Sequence, residues 1–280
     1  MTKRFLDNST LVVSNHNSLK DKLRDKARYF ALDFLSTVRR GDSENFLRCL
    51  YCHYVFDDQL DAFEQIIKSL SRVGRFVDTK TCEQMISGKI PIKGKVFHLS
   101  FDDGFKNNFT NAYPILKRLG IPAIFFVPTA IIDAEYDVVR DYCLNTTNYS
   151  GVIEMMTWAN LAELADNGYE VGSHTQTHAR LSEISVNSDR LIQELQGSKQ
   201  DIENKLKISC DYISWPFGKL LDADNIALSA IRNSGYSACF GGYRGPISAD
   251  NTDLMSIPRH HFEAHWPLRH VLYFARGNGE

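Results

Sequence analysis

Two short segments carry side chains that could hold a metal ion and move a proton: Ser100-Phe101-Asp102-Asp103-Gly104 and Gly172-Ser173-His174-Thr175-Gln176-Thr177-His178. Together they offer two adjacent carboxylates and two imidazoles four positions apart. One carboxylate with two histidines suits a catalytic divalent-metal site, which keeps a coordination position open for water or substrate, whereas closed structural zinc sites usually take four protein ligands. One aspartate is then left over. If Asp103 ligates the ion, Asp102 points in a different direction from the same strand end and could accept a proton from an attacking water.

The neighbouring segments indicate where these groups sit. KVFHLSF (95–101) reads as a buried parallel strand that runs into the Asp-Asp-Gly turn, and YEVGS (169–173) as a strand that ends at His174. Both motifs therefore fall at carboxyl ends of strands, the face on which active sites of β/α barrels collect. From Phe46 onward strand and helix patterns alternate. Strands are expected over 46–56, 122–131, 210–214 and 236–242, and helices over 60–74, 113–120, 157–168, 187–206 and 225–235. That order implies an α/β fold with a parallel sheet, and the number of units favours a closed or nearly closed barrel over a small open sheet. Residues 132–156 lack a clear period and read as an inserted loop over the site.

The first 45 residues differ in texture. Leu23, Ala27, Phe30, Ala31, Phe34, Leu35 and Val38 recur at helical spacing, so 1–45 is expected to be a helical extension and 46–280 the catalytic domain. Among 280 residues the formal net charge is −2, which gives no basic footprint for nucleic acid. No stretch reaches the roughly 18 apolar residues of a membrane-spanning helix. The start lacks a signal-peptide core, so the sequence reading places the chain in the cytoplasm. The six cysteines are scattered and read as reduced, buried thiols. The Cys49-Leu50-Tyr51-Cys52 spacing has no second pair and lies in an apolar strand pattern. His53 and His98 read as satisfied strand residues without an assigned role.

SFDDG (100–104), GSHTQTH (172–178) and SWPFG (214–218), with the strand and helix rhythm between them, resemble the polysaccharide deacetylase family, carbohydrate esterase family four, the NodB-like domain. The best segments are 99–127 and 157–185, where motifs and flanking helices agree together. The resemblance implies a distorted, partly open (β/α) barrel. It implies Asp102 as general base, Asp103, His174 and His178 as ligands of a divalent metal, zinc first and cobalt or nickel next, and a carbohydrate substrate. The implied reaction removes an N-acetyl or O-acetyl group, most typically from an aminosugar precursor of surface polysaccharide, with the Phe217 N–H as oxyanion donor and Trp215 walling the acyl pocket.

The third motif departs from the family's commonest form, because Ser214-Trp215 stands where many members carry an arginine ahead of the proline. Arg259 is the candidate replacement. The late motif with its acid histidine is best matched by residues 257–265. There His261 is preferred over His260 because it shares a strand face with Arg259 and Ile257. These departures motivate one alternative, a non-catalytic carbohydrate-binding or assembly protein on the same fold. The same site could also serve a deformylase or amidase acting on another small amide.

Overall fold

A computed structural model describes residues 5–12, 30, 32–35, 44–249 and 251–276. Its framework is an all-parallel sheet of eight strands: β1 (Phe46–Cys52), β2 (Arg75–Val77), β3 (Lys95–Phe101), β4 (Ile124–Val127), β5 (Glu170–Ser173), β6 (Tyr212–Ser214), β7 (Ala238–Phe240) and β8 (His260–His261). The order across the sheet is β7, β6, β5, β4, β3, β1, β8. β2 pairs with β3 at residues 96–98, and β4 pairs with β3 at Ser100 and Phe101. The sheet curls until its edges are joined by one irregular segment. Ile257 bridges to Phe240 of β7, and three residues later β8 pairs with Leu50 and Tyr51 of β1. This is the distorted barrel expected from the sequence.

Both faces of the strands are buried, which explains their nearly continuous apolar runs. Outward residues such as Leu50, Leu99, Phe101, Phe125 and Ile213 meet the surrounding helices. Inward residues Leu47, Cys49, Val96, Ile124, Phe126 and Phe240 form a second buried cluster inside the barrel. Helix Thr79–Ile86 adds Cys82, Met85 and Ile86 to that inner cluster, and Asp78 caps its first turn by accepting the Thr81 N–H at 2.6 Å. This helix and β2 lie in a stretch that the strand and helix patterns left unassigned. Gly172 gives the barrel room for Phe126, because a Cβ there would stand 2.6 Å from the Phe126 ring and 3.0 Å from the Tyr212 carbonyl oxygen.

The expected helices at 60–74, 113–120, 157–168 and 225–235 are observed as Leu60–Val73, Tyr113–Leu119, Trp158–Asp166 and Asn225–Asn233. Thr157 and Asn160 form a reciprocal cap at the start of Trp158–Asp166. The long charged helix at 187–206 contains a π turn at Gln193–Gly197. Residues 132–156 are not a plain loop, since they form helix Tyr136–Asp141 followed by a π turn.

Most of the expected N-terminal helix, including Leu23, Ala27 and Val38, lies outside the described residues. Residues 30 and 32–35 are helical, and Asp33 there pairs with Arg269 and His270 of helix Leu268–Ala275. Residues 5–12 pack on the 132–156 insert, where Leu6 N–H donates to the Val152 carbonyl at 2.7 Å and Phe5 meets the Tyr136 ring edge-on. Among the described residues no helix is long and apolar enough to cross a membrane.

Candidate active site

Asp102 and Asp103 leave the end of β3, and His174 leaves the end of β5, so the strand ends bring both motifs to one mouth of the barrel. A cavity of about 440 Å³ opens there, lined by Asp102, Asp103, His174, His178, His53 and Arg259 among others. Backbone strain concentrates around it. Asp103 (φ 70°), Thr175 (φ 63°), His178 (φ 62°) and Phe217 (φ 64°) all occupy the left-handed region, which costs a non-glycine residue of order 1–3 kcal/mol each. Surrounding contacts hold that strain in place. Buried Glu194 accepts the N–H groups of Gln176 (3.0 Å) and Thr177 (2.8 Å), while the loop carbonyls of Thr175 and Gln176 accept from Thr129 and Ala130.

Asp103 Oδ1 lies 3.5 Å from His174 Nε2 and 3.3 Å from His178 Nε2. The contact fits a bound cation better than a direct hydrogen bond. His174 Nδ1 sits 2.7 Å from the Ser214 carbonyl oxygen, an acceptor, so Nδ1 carries the hydrogen and neutral His174 turns a lone pair toward the carboxylate. Burial, only partly offset by Asp103, keeps the His178 imidazole below its ordinary pKa and so favours its neutral form. Two donor atoms on a tetrahedral ion at bond lengths of about 2.0–2.1 Å lie about 3.3–3.4 Å apart, which matches the observed spacing. Asp103, His174 and His178 thus fit a divalent metal. Tyr149 of the 132–156 insert donates to Asp103 Oδ2 at 3.2 Å, a contact that no spacing in the sequence signals.

Asp102 is held apart from this group by Arg259. The guanidinium grips both carboxylate oxygens, Nη1 to Oδ1 at 2.8 Å and Nη2 to Oδ2 at 2.7 Å. Its other donors go to Gly241 O, Ser100 Oγ and Ser214 Oγ, so all five N–H groups are used although the side chain is buried. Tyr51 lies under the guanidinium at 4.3 Å. Burial alone would raise the Asp102 carboxyl, but Arg259, with His174 and His53, holds it below its ordinary value. Arg259 therefore stands where the sequence expectation put a substitute for the absent third-motif arginine.

The expected acid, His261, does not line the cavity, and neither does His260. His260 is buried, with burial and the Arg48 and Arg244 charges lowering it to about 3. His53, read from the sequence as a satisfied strand residue, lines the cavity, as does His265, and its Nδ1 lies 3.1 Å from His261 Nε2. Its Nδ1 donates to Glu263 Oε1 at 2.9 Å, and His261 Nε2 donates to the same oxygen at 2.7 Å. Burial would lower His53, but the Glu263 hydrogen bond and the Asp103, Glu263 and Asp102 charges raise it to about 9. Its position right after β1 is the signal that could have found it, because strand ends build this mouth.

Phe217 and Trp215 both line the cavity. The Phe217 ring packs on His178 with centroids 4.9 Å apart, and the Arg180 guanidinium lies over the same ring, 3.8 Å from its centroid. Trp215 is buried, stacks on Tyr243 and donates its indole N–H to the Lys219 carbonyl at 3.2 Å. Gly218 allows the turn to dock, since it has φ 74° and a Cβ there would lie 2.6 Å from Gly242. Cys49 and Cys52 leave opposite faces of β1 and form no joint site: Cys49 meets Cys82, and Cys52 donates to Tyr54 O.

The sequence profile of the polysaccharide deacetylase family matches residues 89–239. The chain is 27% identical over 179 residues to the poly-beta-1,6-N-acetyl-D-glucosamine N-deacetylase of Staphylococcus aureus strain MRSA252, a match over 61% of this chain and 55% of that protein. It is 24% identical over 195 residues to the protein of the same name from Escherichia coli strain K12, over 61% of this chain and 28% of that one. The chain therefore spans about half the length of the curated relatives it matches, or less. The structure of IcaB from Ammonifex degensii superposes with a TM-score of 0.68 at 21% identity, covering 83% of this chain and 98% of that one, which shows a shared fold.

Proposed function

The chain belongs to the polysaccharide deacetylase family, and from that premise we propose that it is a metal-dependent hydrolase that removes N-acetyl groups from an aminosugar of surface polysaccharide synthesis. The observation that carries the reading is the division of labour between neighbouring aspartates. Asp103 faces two imidazoles while Asp102 is clamped by a guanidinium in the same cavity. The names of the relatives support N-acetylglucosamine as the sugar. Within the same proposal, residues 46–280 are the catalytic domain with 1–45 as an extension, and a cytoplasmic address is decided by cell fractionation.

Asp103, His174 and His178 would hold the ion, zinc by donor chemistry with cobalt or nickel as close substitutes, and it would polarise the acyl carbonyl and acidify a water. Asp102, fixed in direction by Arg259, takes the proton of the attacking water. The Phe217 N–H steadies the oxyanion, and Trp215 closes the acyl side of the cavity. His53 gives the proton to the leaving amine, a role assigned to it in place of His261. With Nδ1–H committed to Glu263, the proton it releases is the one on Nε2.

Chelator-treated and zinc-, cobalt- or nickel-loaded protein, incubated with β-1,6-linked N-acetylglucosamine oligomers, tests the reading by acetate release. Release that requires metal is the expected result. Glycan binding without release under all three metals would instead support the non-catalytic alternative. Release of formate from N-formylglucosamine, with no acetate from the N-acetyl oligomers, would move the chain to the deformylase alternative.

The proton donor carries its own pH signature. His53 must be protonated to act and its hydrogen bond to Glu263 raises its pKa, so kcat/KM is expected to hold through neutral pH and fall on the alkaline side. Glu263→Gln removes the charge that raises it and should shift that alkaline limb toward neutral pH. A limb that stays in place in the variant would refute the assignment.

A further inference from the structure

We propose that the floor of the barrel is a second metal site, in which Cys49, Cys82 and His98 bind one thiophilic ion, zinc or copper(I). Cys49 on β1 and His98 on β3 are register partners on adjacent strands, and both face the barrel interior. Cys82 reaches them from helix Thr79–Ile86. All three are fully buried, and one donor atom of each lies within 4.8 Å of the others. The deacetylation chemistry uses none of them.

The hydrogen-bond chain behind His98 fixes its tautomer. Glu170 Oε2 accepts the Thr79 N–H at 2.8 Å and lies 2.5 Å from Thr79 Oγ1. With the Glu170 carboxyl ionised, the single hydroxyl hydrogen of Thr79 goes to it. Thr79 Oγ1 is then left to accept from His98 Nε2, 3.0 Å away, and in the ring form with one hydrogen the lone pair is on Nδ1. Among the described residues that buried Nδ1 has no hydrogen-bond partner. A carboxylate that orients an imidazole through its far nitrogen is the usual outer support of a metal-ligating histidine.

The sulfur geometry agrees. The two Sγ atoms are 3.6 Å apart, close to the roughly 3.8 Å between two thiolates bonded at about 2.3 Å to a tetrahedral zinc and far from a disulfide of about 2.05 Å. Thiolate and imidazole donors select zinc and copper(I) over harder ions. Since the site is closed to solvent, the ion would enter as the chain folds.

The double variant His174→Ala/His178→Ala removes two ligands of the cavity site and isolates the buried one. Grown with zinc, copper or cobalt salts and desalted, it is expected to retain about one equivalent of metal per chain from at least the zinc or the copper medium. The cobalt-grown protein is expected to show a sulfur-to-cobalt charge-transfer band in the near ultraviolet. Adding Cys49→Ser or Cys82→Ser should abolish both signals. If the serine variants do not fold, the cobalt spectrum of the double variant carries the result alone: the band supports the site and its absence overturns it. A folded double variant without metal from any medium overturns the proposal. So does metal that survives both serine substitutions, or a denatured chain with four rather than six reactive thiols, which would reveal a disulfide.

Discussion

Replacing Asp102 by asparagine is expected to lower kcat by about 10²–10⁴-fold while metal content stays at the wild-type level. The substitution keeps the size of the side chain but removes the group that accepts the proton. Asp103, His174 and His178, the proposed ligands, are untouched. It also turns an amide N–H₂ toward one arm of Arg259, so a stability loss of about 1–3 kcal/mol is expected from the unmatched pair. Acetate-release kinetics and metal analysis on one sample check this. Full activity would remove Asp102 from the reaction, and loss of metal would make it a ligand instead of the base. His174→Ala is the matching control, expected to lose metal and turnover together.

Replacing Arg259 by leucine is expected to cost about 3–5 kcal/mol of stability, read by urea unfolding, and to suppress turnover as well. The size follows from what the guanidinium leaves behind. Asp102 is 3% exposed, and without Arg259 a buried carboxylate loses both of its charge-assisted partners while Ser100, Ser214 and Gly241 lose a donor. The pH dependence has a definite sign. Arg259 lowers the folded-state pKa of Asp102, so its stabilisation is present above the unfolded carboxylate pKa and lost as pH falls through the lower folded value. In the variant the carboxyl takes up its proton at higher pH, and the acid limb of activity moves upward. Arg259→Lys restores the charge but not the two-pronged grip, so it should recover stability more fully than turnover. A leucine variant as stable as the wild type, with an unmoved acid limb, would show that the pair does not orient the base.

The features that depend on short-range order are legible in the residues alone. Alternation and helical period located β1 and β3 to β7, and the main helices, because strand and helix repeats are written in neighbouring residues. The Asp-Asp-Gly and His-x-x-x-His segments fall at strand ends for the same reason. Which distant groups meet follows from the folded barrel. Arg259 reaches Asp102 across 157 positions because the irregular segment after β7 closes the barrel beside β1. His53 comes to the cavity, ahead of His261, because both imidazoles share the single carboxylate of Glu263 and only His53 lines the opening. Tyr149 contacts Asp103 from an insert that has no period to read. Cys82 meets Cys49 and His98 from a helix that the patterns left unassigned. In each case the deciding term is the closure of a curled sheet, which sets distances through space that no local spacing encodes.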